Sequence, residues 1–320
     1  MKGYVFARLG RLLPVCFLVI VFNFCLVHLA PGDPVHILAG DAATPEYVAN
    51  IRAEFGLDQP LSVQLLVYLG KVLRGDLGAS FLNREPVAPL ILSRVPSTLL
   101  LMVTALVIAL AVGVGLGLLA ARRPNSGADH LTRFVALAGF SLPIFWLGQI
   151  LLLVFALWLR WLPVQGMRSL REPLSGFYGA LDVLRHLLLP ALSFAFYNIA
   201  LFSRLSRAAM VDVLHEDFIR TARAKGLRES AVFLRHAFRN ALLPLVTVVG
   251  ANVGLLLMGS VLTETVFGWP GLGRLIYEAL YGRDYPVLMG VFLFVSIAVV
   301  LANLATDLLY ARLDPRIRLR

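Results

Sequence analysis

Side chains that could carry out catalysis are present in this sequence, but each candidate site lacks a necessary partner. Ser141 lies in an apolar stretch, GFSL, where it would need a general base beside it to act as a nucleophile. No long apolar stretch has a histidine near its middle to serve as that base. Lys71 follows Gly70 but precedes Val72, so the phosphate-binding pattern GxxxxGK[ST] is absent, as is the zinc pattern HExxH. We therefore predict that the chain is not an enzyme, and we predict no cofactor or metal site.

The segment DFIRTARAKGLRESAVFLRHAFRN, residues 217–240, is the strongest candidate for a binding element. It holds six Lys or Arg residues and two acids, in a chain that is 59% hydrophobic. Residues 218–225 can form about two helical turns, and Gly226 suits the left-handed conformation that ends a helix. A second helix then runs toward Ala241. Two interpretations follow: a basic amphipathic connection that rests on anionic lipid headgroups, or a docking element for a partner that supplies energy.

Composition indicates that the elements around this segment lie in a membrane. Only 15% of the residues are charged and the mean hydropathy is +0.80, whereas a soluble domain carries roughly 25% charged residues. A helix needs about 20 mostly apolar residues to cross a bilayer. The apolar runs lack the strict alternation of a β-barrel, so we predict an all-α membrane protein with six transmembrane helices. The predicted spans are residues 12–30, 98–121, 134–159, 187–203, 241–263 and 287–306.

The distribution of positive charge predicts the orientation. With the N-terminus inside, 18 of the 29 Lys and Arg residues fall in the inner segments 1–11, 122–133, 204–240 and 307–320. Positive charge is enriched on the cytoplasmic side of membrane proteins, so both termini are predicted to be cytoplasmic. The apolar run of the first span is long for a signal peptide, and HLAPGDP after it offers no cleavage pattern, so we expect this span to be retained.

The predicted outer segments differ in character. Residues 31–97 form a helical extracytoplasmic subdomain, with one helix in TPEYVANIRAEFG (44–56) and another in LSVQLLVYLGKVLRG (61–75). The connection at 160–186 is rich in glycine and proline and is expected to be irregular. Residues 264–286 mix aromatic residues with glycines and either lie at the membrane interface or fold back into the protein.

The spans themselves suggest what the protein does not do. Their interiors contain no Asp, Glu, Lys or Arg, which argues against a proton- or ion-driven pump. Two pairs of glycines, Gly113 with Gly117 and Gly250 with Gly254, are four residues apart and allow close helix packing. The pairs can pack within this chain or against a second subunit, and the sequence leaves both open.

In the basic segment the sequence resembles the permeases of binding-protein-dependent ABC importers, in their dipeptide/oligopeptide/nickel branch. RTARAKG, from Arg220 to Gly226, and RHAFRNALLP, from Arg235 to Pro244, are similar to the cytoplasmic "EAA" loop of that branch. Arg220-Thr221-Ala222 stands where the general signature has Glu-Ala-Ala. The resemblance extends along nearly the whole chain, through the stretches HLAPGDP, GLDQPLSVQ, GDLGASF, RVPSTLLL, SLPIFWLG, LPVQGM, ETVFGWPGLGRL and DLLYARLDPRIR.

The resemblance implies a bacterial inner-membrane permease that imports peptides by alternating access, with residues 98–306 as the transporter core. The implied partners are a second homologous permease, two cytoplasmic ATPase subunits that use ATP and magnesium, an extracytoplasmic solute-binding protein and membrane lipid, with no nucleic acid. The residues implied to contact the ATPase are Phe218, Arg220, Ala222, Arg223 and Gly226. Candidates for the outer gate are Phe267, Trp269, Pro270, Gly271 and Gly273. Nickel, glutathione or another small solute remains an alternative cargo, and a lipid-binding structural protein is the alternative of a different class.

Overall fold

The protein is described by a computed structural model over residues 2–29, 44–46, 49, 52, 58–169 and 174–313. Helices dominate these residues. In chain order they are α1 (Lys2–Leu29), α2 (Leu61–Leu73), α3 (Val87–Arg122), α4 (Gly127–Ser141), α5 (Ile144–Leu151), α6 (Gly176–Leu214), α7 (Asp217–Ala224), α8 (Phe238–Val266), α9 (Leu272–Tyr281) and α10 (Tyr285–Leu313). A π-helical segment, Leu152–Trp158, extends α5, and the turn Glu229–Ala231 with the π-helical segment Val232–Ala237 leads into α8.

The length and composition of the described helices support four membrane spans, and a fifth if one bent pair is counted. The four are Val87–Arg122, Gly176–Leu214, Glu229–Gly250 and Tyr285–Thr306. Helix α1 contains a shorter apolar portion, Pro14–Cys25. The all-helical membrane architecture is thus confirmed in its coarse form, while the number six and the orientation of the termini stay predictions.

The predicted span 134–159 contains a sharp bend between two helices. Helix α4 ends at Ser141, and α5 begins at Ile144 after a bend of 106°. Leu142 is extended, with φ −91° and ψ 125°. Pro143 causes the break, because its ring disfavours the helical conformation of the preceding residue and because it has no backbone N–H to donate. The uniform hydrophobicity of the run hid this break.

Two compact units make up the chain. The first contains Met1–Thr98 and Pro270–Arg320, and the second contains Leu99–Trp269. In the first unit, the start of α3 packs with α9 and α10 around Val87, Ile91 and Val291. Those three side chains are buried, and this core also fixes a polar contact in which the Ser80 hydroxyl donates to the Asp284 carboxylate.

Close packing of α3, α4 and α6 forms the centre of the second unit. A Cβ added at Gly113 would lie 2.9 Å from the carbonyl oxygen of Ile199, and one at Gly117 would lie 2.6 Å from that of Ser203. Gly139 in α4 meets Ala200 of α6 in the same way. The question left open by the sequence is thus answered for the first glycine pair, which packs within this chain.

Of the two helices expected before the second span, one is found in the described residues. Helix α2 runs Leu61–Leu73, and Gly75 follows it with φ +79°, as expected for a glycine that ends a helix. The helix expected at 44–56 falls mostly outside the described residues.

Candidate functional site: the basic docking helix

Helix α7 has one buried side, which fixes it to the second unit. Ile219 is fully buried and Ala222 nearly so, and they belong to a cluster that includes Ala121 of α3 and Met210 of α6. The cluster is completed by Val232, Ala237 and Ala241 on the approach to and in α8. The spacing of three residues between Ile219 and Ala222 puts both side chains on one face. The helix therefore rests on a platform made of three other helical elements.

A glycine turn ends helix α7. Gly226 has φ +73°, the left-handed conformation predicted for it. Its N–H donates to the Arg223 carbonyl at 2.9 Å, and the N–H of Leu227 donates to the Ala222 carbonyl at 3.4 Å. This pair of bonds is the Schellman motif, which satisfies carbonyls at the end of a helix. A Cβ at Gly226 would meet no atom within 4 Å, so the glycine is required for its conformation and not by crowding in this chain.

An ion pair joins α7 to the segment that follows the turn. The guanidinium of Arg223 binds the Glu229 carboxylate through two hydrogen bonds, Nη2–Oε1 at 2.7 Å and Nε–Oε2 at 3.2 Å. The hydrogen bond to Glu229 raises the pKa of Arg223 above its ordinary value. Both side chains are largely exposed, so the pair contributes little to stability. Its two-point contact connects α7 to the residue that begins the next helical turn.

The outer side of this region exposes apolar side chains among basic ones. Phe218 is 43% exposed, Leu227 42% and Leu234 57%. The basic residues of the segment that are exposed are Arg220, Arg223, Lys225, Arg228, Arg235 and Arg239. These exposed apolar side chains among basic ones make the surface a candidate for contact with another molecule. Leu227 and Leu234 were not among the sequence-based candidates, because their exposure depends on the turn and on the helix that follows.

The π-helical segment Val232–Ala237 explains why Leu234 faces outward. The buried positions of the cluster are Val232, Ala237 and Ala241, which are five and then four residues apart. A π-helical turn holds more residues than an α-helical turn, so the buried face shifts by one residue. An uninterrupted α-helix would have brought a residue three or four positions after Val232 to the inside. Leu234 consequently lies on the exposed side of this segment.

The candidate gate residues lie in a different environment. Phe267 and Trp269 are buried in the second unit, each in a separate hydrophobic cluster. The Phe267 ring packs so closely on Gly148 that a Cβ there would lie 3.0 Å from its Cε2 atom. Gly271 and Gly273 are buried in the first unit, and Pro270 is partly exposed there. The role of these five residues at a gate stays a prediction.

A buried carboxylate that joins α4 to α6 was missed in the sequence. Asp129 is fully buried and binds Arg207, which lies 78 residues away in sequence. A signal was available, because Asp129 is the lone acid of the stretch 122–133, which also carries three arginines. Asp182 is a second case, since its carboxylate accepts hydrogen bonds from the backbone N–H and the hydroxyl of Ser169, both at 2.7 Å.

Comparison with known families identifies the class of this chain. Residues 113–319 match the model described as "Binding-protein-dependent transport system inner membrane component", and residues 1–102 match its N-terminal counterpart, "Binding-prot-dependent transport system membrane comp, N-term". The chain belongs to this permease family. It is a transmembrane subunit of an ABC importer in a bacterial inner membrane, and it is not an enzyme. Such a permease works with a solute-binding protein and with ATPase partners.

Several curated permeases are similar to the chain over nearly their whole length. It is 43% identical over 336 residues to the Dipeptide transport system permease protein DppB of Escherichia coli (strain K12), covering 99% of both chains. It is 42% identical over 333 residues to the Di/tripeptide transport system permease protein DppB of Pseudomonas aeruginosa (strain UCBPP-PA14), again covering 99% of each. The Glutathione transport system permease protein GsiC of Escherichia coli (strain K12) is 42% identical over 318 residues, with the same coverage.

The fold of the permease also has a solved counterpart. A structure of the MetNI methionine ABC transporter in an inward-facing conformation aligns with a TM-score of 0.55 and 18% identity. The alignment covers 70% of this chain and 96% of that one. At this identity the likeness supports the fold of the permease and nothing finer.

Proposed function

We propose that this permease forms half of the pathway by which an ATP-driven importer moves di- and oligopeptides across the inner membrane by alternating access. In this proposal it crosses the membrane six times with both termini in the cytoplasm. It pairs with a second homologous permease, two ATPase subunits and one external binding protein. The main support for a peptide cargo is that relatives named for dipeptide and di/tripeptide transport are more than 40% identical to the chain along its full length.

Helix α7 is proposed as the element that the ATPase grips. The observation that carries this assignment is its division into two faces: Ile219 and Ala222 attach the helix to the permease, while Phe218 remains exposed beside exposed basic side chains. A helix with one face packed on its own chain and an apolar residue on the other face can insert into a groove of a partner. A displacement of Phe218 by the partner would therefore also displace Ile219 and Ala222, which lie in the buried cluster.

The five predicted coupling residues take different parts in this proposal. Phe218 and Arg220 are exposed and make direct contact with the ATPase. Arg223 orients the helix through Glu229, and Gly226 redirects the chain so that α7 stands apart from α8. Ala222 holds the helix to the platform. ATP and magnesium act in the partner subunits and need no site in this chain.

The region from Phe267 to Gly273 is proposed to close the outer end of the pathway. Phe267, Trp269, Gly271 and Gly273 are buried and Pro270 is partly exposed, so in this conformation the segment would act as a plug and not as an open lining. Opening the gate would require Phe267 and Trp269 to leave their clusters. The same segment is helical again from Leu272, where the backbone N–H donates to the Thr98 hydroxyl at 2.8 Å.

Glutathione is a second candidate cargo. The observation that favours it is the 42% identity to the glutathione permease of Escherichia coli, which is close to the identity with the dipeptide permeases. Glutathione is itself a small peptide, so the same pathway chemistry would serve both. Loading the cognate binding protein with a mixture of dipeptides and glutathione, and identifying which one it retains, decides between them.

Substitution of Gly226 tests the proposed coupling. A left-handed backbone costs an ordinary residue roughly 1–2 kcal/mol, whereas asparagine tolerates it better. We expect Gly226→Leu to insert into the membrane normally but to lose ATP-driven uptake of a radiolabelled dipeptide in vesicles that contain the partner subunits. Gly226→Asn, the matched control, keeps the turn and is expected to retain most uptake. Uptake by Gly226→Leu at the parental rate would show that the docking assignment is wrong.

The proposed orientation has a separate test. Reporter fusions after Arg312 are expected to read cytoplasmic, and fusions near Gly75 extracytoplasmic. The opposite pattern would place α7 outside, away from any ATPase, and would rule out the proposed coupling contact.

A further inference from the structure

Beyond the docking helix itself, a buried ion pair links the docking platform to the bent helix pair α4–α5. The Arg207 guanidinium binds the Asp129 carboxylate at two points, Nε–Oδ1 at 2.6 Å and Nη2–Oδ2 at 3.0 Å. Asp129 lies in the first turn of α4 and is fully buried, while Arg207 lies in α6. The pair is therefore a direct polar bridge between two helices.

The position of this bridge relates it to the docking helix. Arg207 and Met210 are three residues apart in α6 and so lie on adjacent turns of one face. Met210 is fully buried in the cluster that holds Ile219 and Ala222 of α7. A displacement of α7 that moves Met210 must also move Arg207, because both are carried by one continuous helix.

Helix α4 is buried along its inner face, so a displacement of Asp129 is expected to move the helix as a unit. The buried positions of α4 are Asp129, Thr132, Ala136 and Gly139, a spacing that follows one helical face. The Thr132 hydroxyl lies 3.2 Å from the carbonyl oxygen of Leu116 in α3. Two residues beyond the end of this helix, Pro143 marks the 106° bend into α5.

We propose that the Asp129–Arg207 pair is a positioning tie, which transmits movement of the docking helix to the bent helix pair during transport. This inference rests on the proposed function, because it requires that an ATPase moves α7. A buried ion pair often adds little net stability, since desolvating both charges offsets their attraction. A two-point guanidinium–carboxylate contact does fix distance and angle between its helices.

The alternative role for Arg207 is only to neutralise a buried carboxylate, and the structure provides a control that separates the two roles. Arg133 binds the same carboxylate, with Nη2–Oδ2 at 2.7 Å, but it lies four residues from Asp129 on the same helix. It therefore supplies charge without linking α4 to α6. The backbone N–H of Asn125 also donates to this carboxylate, at 2.9 Å. Substituting Arg133 removes one positive charge from the neighbourhood of the buried carboxylate but leaves the Asp129–Arg207 contact between α4 and α6 intact.

The test measures uptake of a radiolabelled dipeptide per ATP hydrolysed, in vesicles that contain this chain and its cognate partner subunits. We expect Arg207→Met to lower this ratio by about 2- to 30-fold while the ATPases still co-purify with the permease. Arg133→Gln is expected to leave the ratio within a factor of about two of the parental value, since energetic coupling changes less where no interhelical contact is lost.

A double variant keeps the test informative where Arg207→Met alone folds poorly. In Asp129→Asn/Arg207→Met no buried charge remains at this position, so the folding penalty of losing the Arg207 partner is reduced. A tie predicts that the ratio stays low in the double variant, whereas charge neutralisation predicts that it recovers. Recovery in the double variant, an unchanged ratio in Arg207→Met, or an equal loss in Arg133→Gln would each overturn the tie.

The same experiment distinguishes the tie from the proposed function. If the parental chain fails to bind the ATPases or to take up the dipeptide, the proposed function is overturned and the tie with it. If the parental chain transports and the variants keep its ratio, only the tie is overturned.

Discussion

Two helix ends in the second unit are built in the same way and lie in opposite environments. Helix α7 ends at Gly226, with φ +73°, and α8 ends at Gly268, with φ +60°. At both, the glycine and the next residue donate backbone hydrogen bonds to carbonyls of the last helical turn. The residue after the glycine is Leu227 in the first turn, 42% exposed, and Trp269 in the second, fully buried.

The difference shows that the turn alone does not determine function. A Schellman turn reverses the chain at either site, and only the surroundings separate a surface available to a partner from a side chain held in the core. A Cβ added at Gly226 would meet no atom within 4 Å, and several residues near it in sequence are basic. At Gly268 the residues on both sides of the glycine, Phe267 and Trp269, enter hydrophobic clusters. The first end is suited to docking, and the second to closing the fold or a pathway.

The largest effect is expected from removing the buried side chain that follows the second turn. Trp269→Ala leaves a cavity in the core cluster and should lower the free energy of unfolding by about 3–5 kcal/mol. The matched change after the first turn, Leu227→Ala, should lower it by about 1 kcal/mol or less because the side chain is already partly in solvent. Thermal unfolding followed by circular dichroism at 222 nm measures both, and similar losses would remove the distinction between the two ends.

Close packing around Phe267 provides the next test. A Cβ at Gly148 would lie 3.0 Å from the Phe267 ring, whereas one at Gly115 in α3 would meet no atom within 4 Å. Gly148→Val is therefore expected to destabilise the fold by roughly 1–3 kcal/mol through overpacking. Gly115→Val, also inside a helix, should be close to neutral or slightly stabilising. Unfolding temperatures of the two variants in one detergent check this, and equal temperatures would mean that the Phe267 end is loosely packed.

The parts of the molecule that the sequence predicted are those set by local chemistry. Gly226 was expected to be left-handed because glycine reaches that conformation without strain, and helix α2 followed from its apolar periodicity and Gly75. The break at Pro143 was obscured because every residue around it is compatible with a membrane helix. The contact between Asp129 and Arg207 could not be predicted from local sequence patterns, because only the packing of α4 on α6 brings the two residues together.

The exposed end of α7 should respond to mutation in function and not in stability. Phe218→Ala removes a side chain that is 43% exposed, so the free energy of unfolding should fall by only about 1 kcal/mol or less. As a buried anchor in a complex, the same side chain should contribute at least about 2 kcal/mol, or roughly 30-fold in affinity for the ATPases. Titrating the purified ATPases onto the permease in nanodiscs measures this affinity. An unchanged affinity would place the contact elsewhere on the basic surface.

The smallest effect is expected at the ion pair that spans the first turn. Glu229→Gln keeps a hydrogen-bond acceptor for Arg223 but removes the charge, and exposed pairs of this kind contribute about 0.2–1 kcal/mol. Because both side chains face solvent, the difference from the parental chain should shrink further at about 1 M salt, where the screening length falls to about 3 Å. The effect of Trp269→Ala comes from burial and should persist in the same salt. Unfolding of both variants at low and high salt therefore distinguishes a turn stabilised by surface charge from one stabilised by packing. A loss of stability in Glu229→Gln that does not change with salt would contradict the exposed geometry of the ion pair at the end of α7.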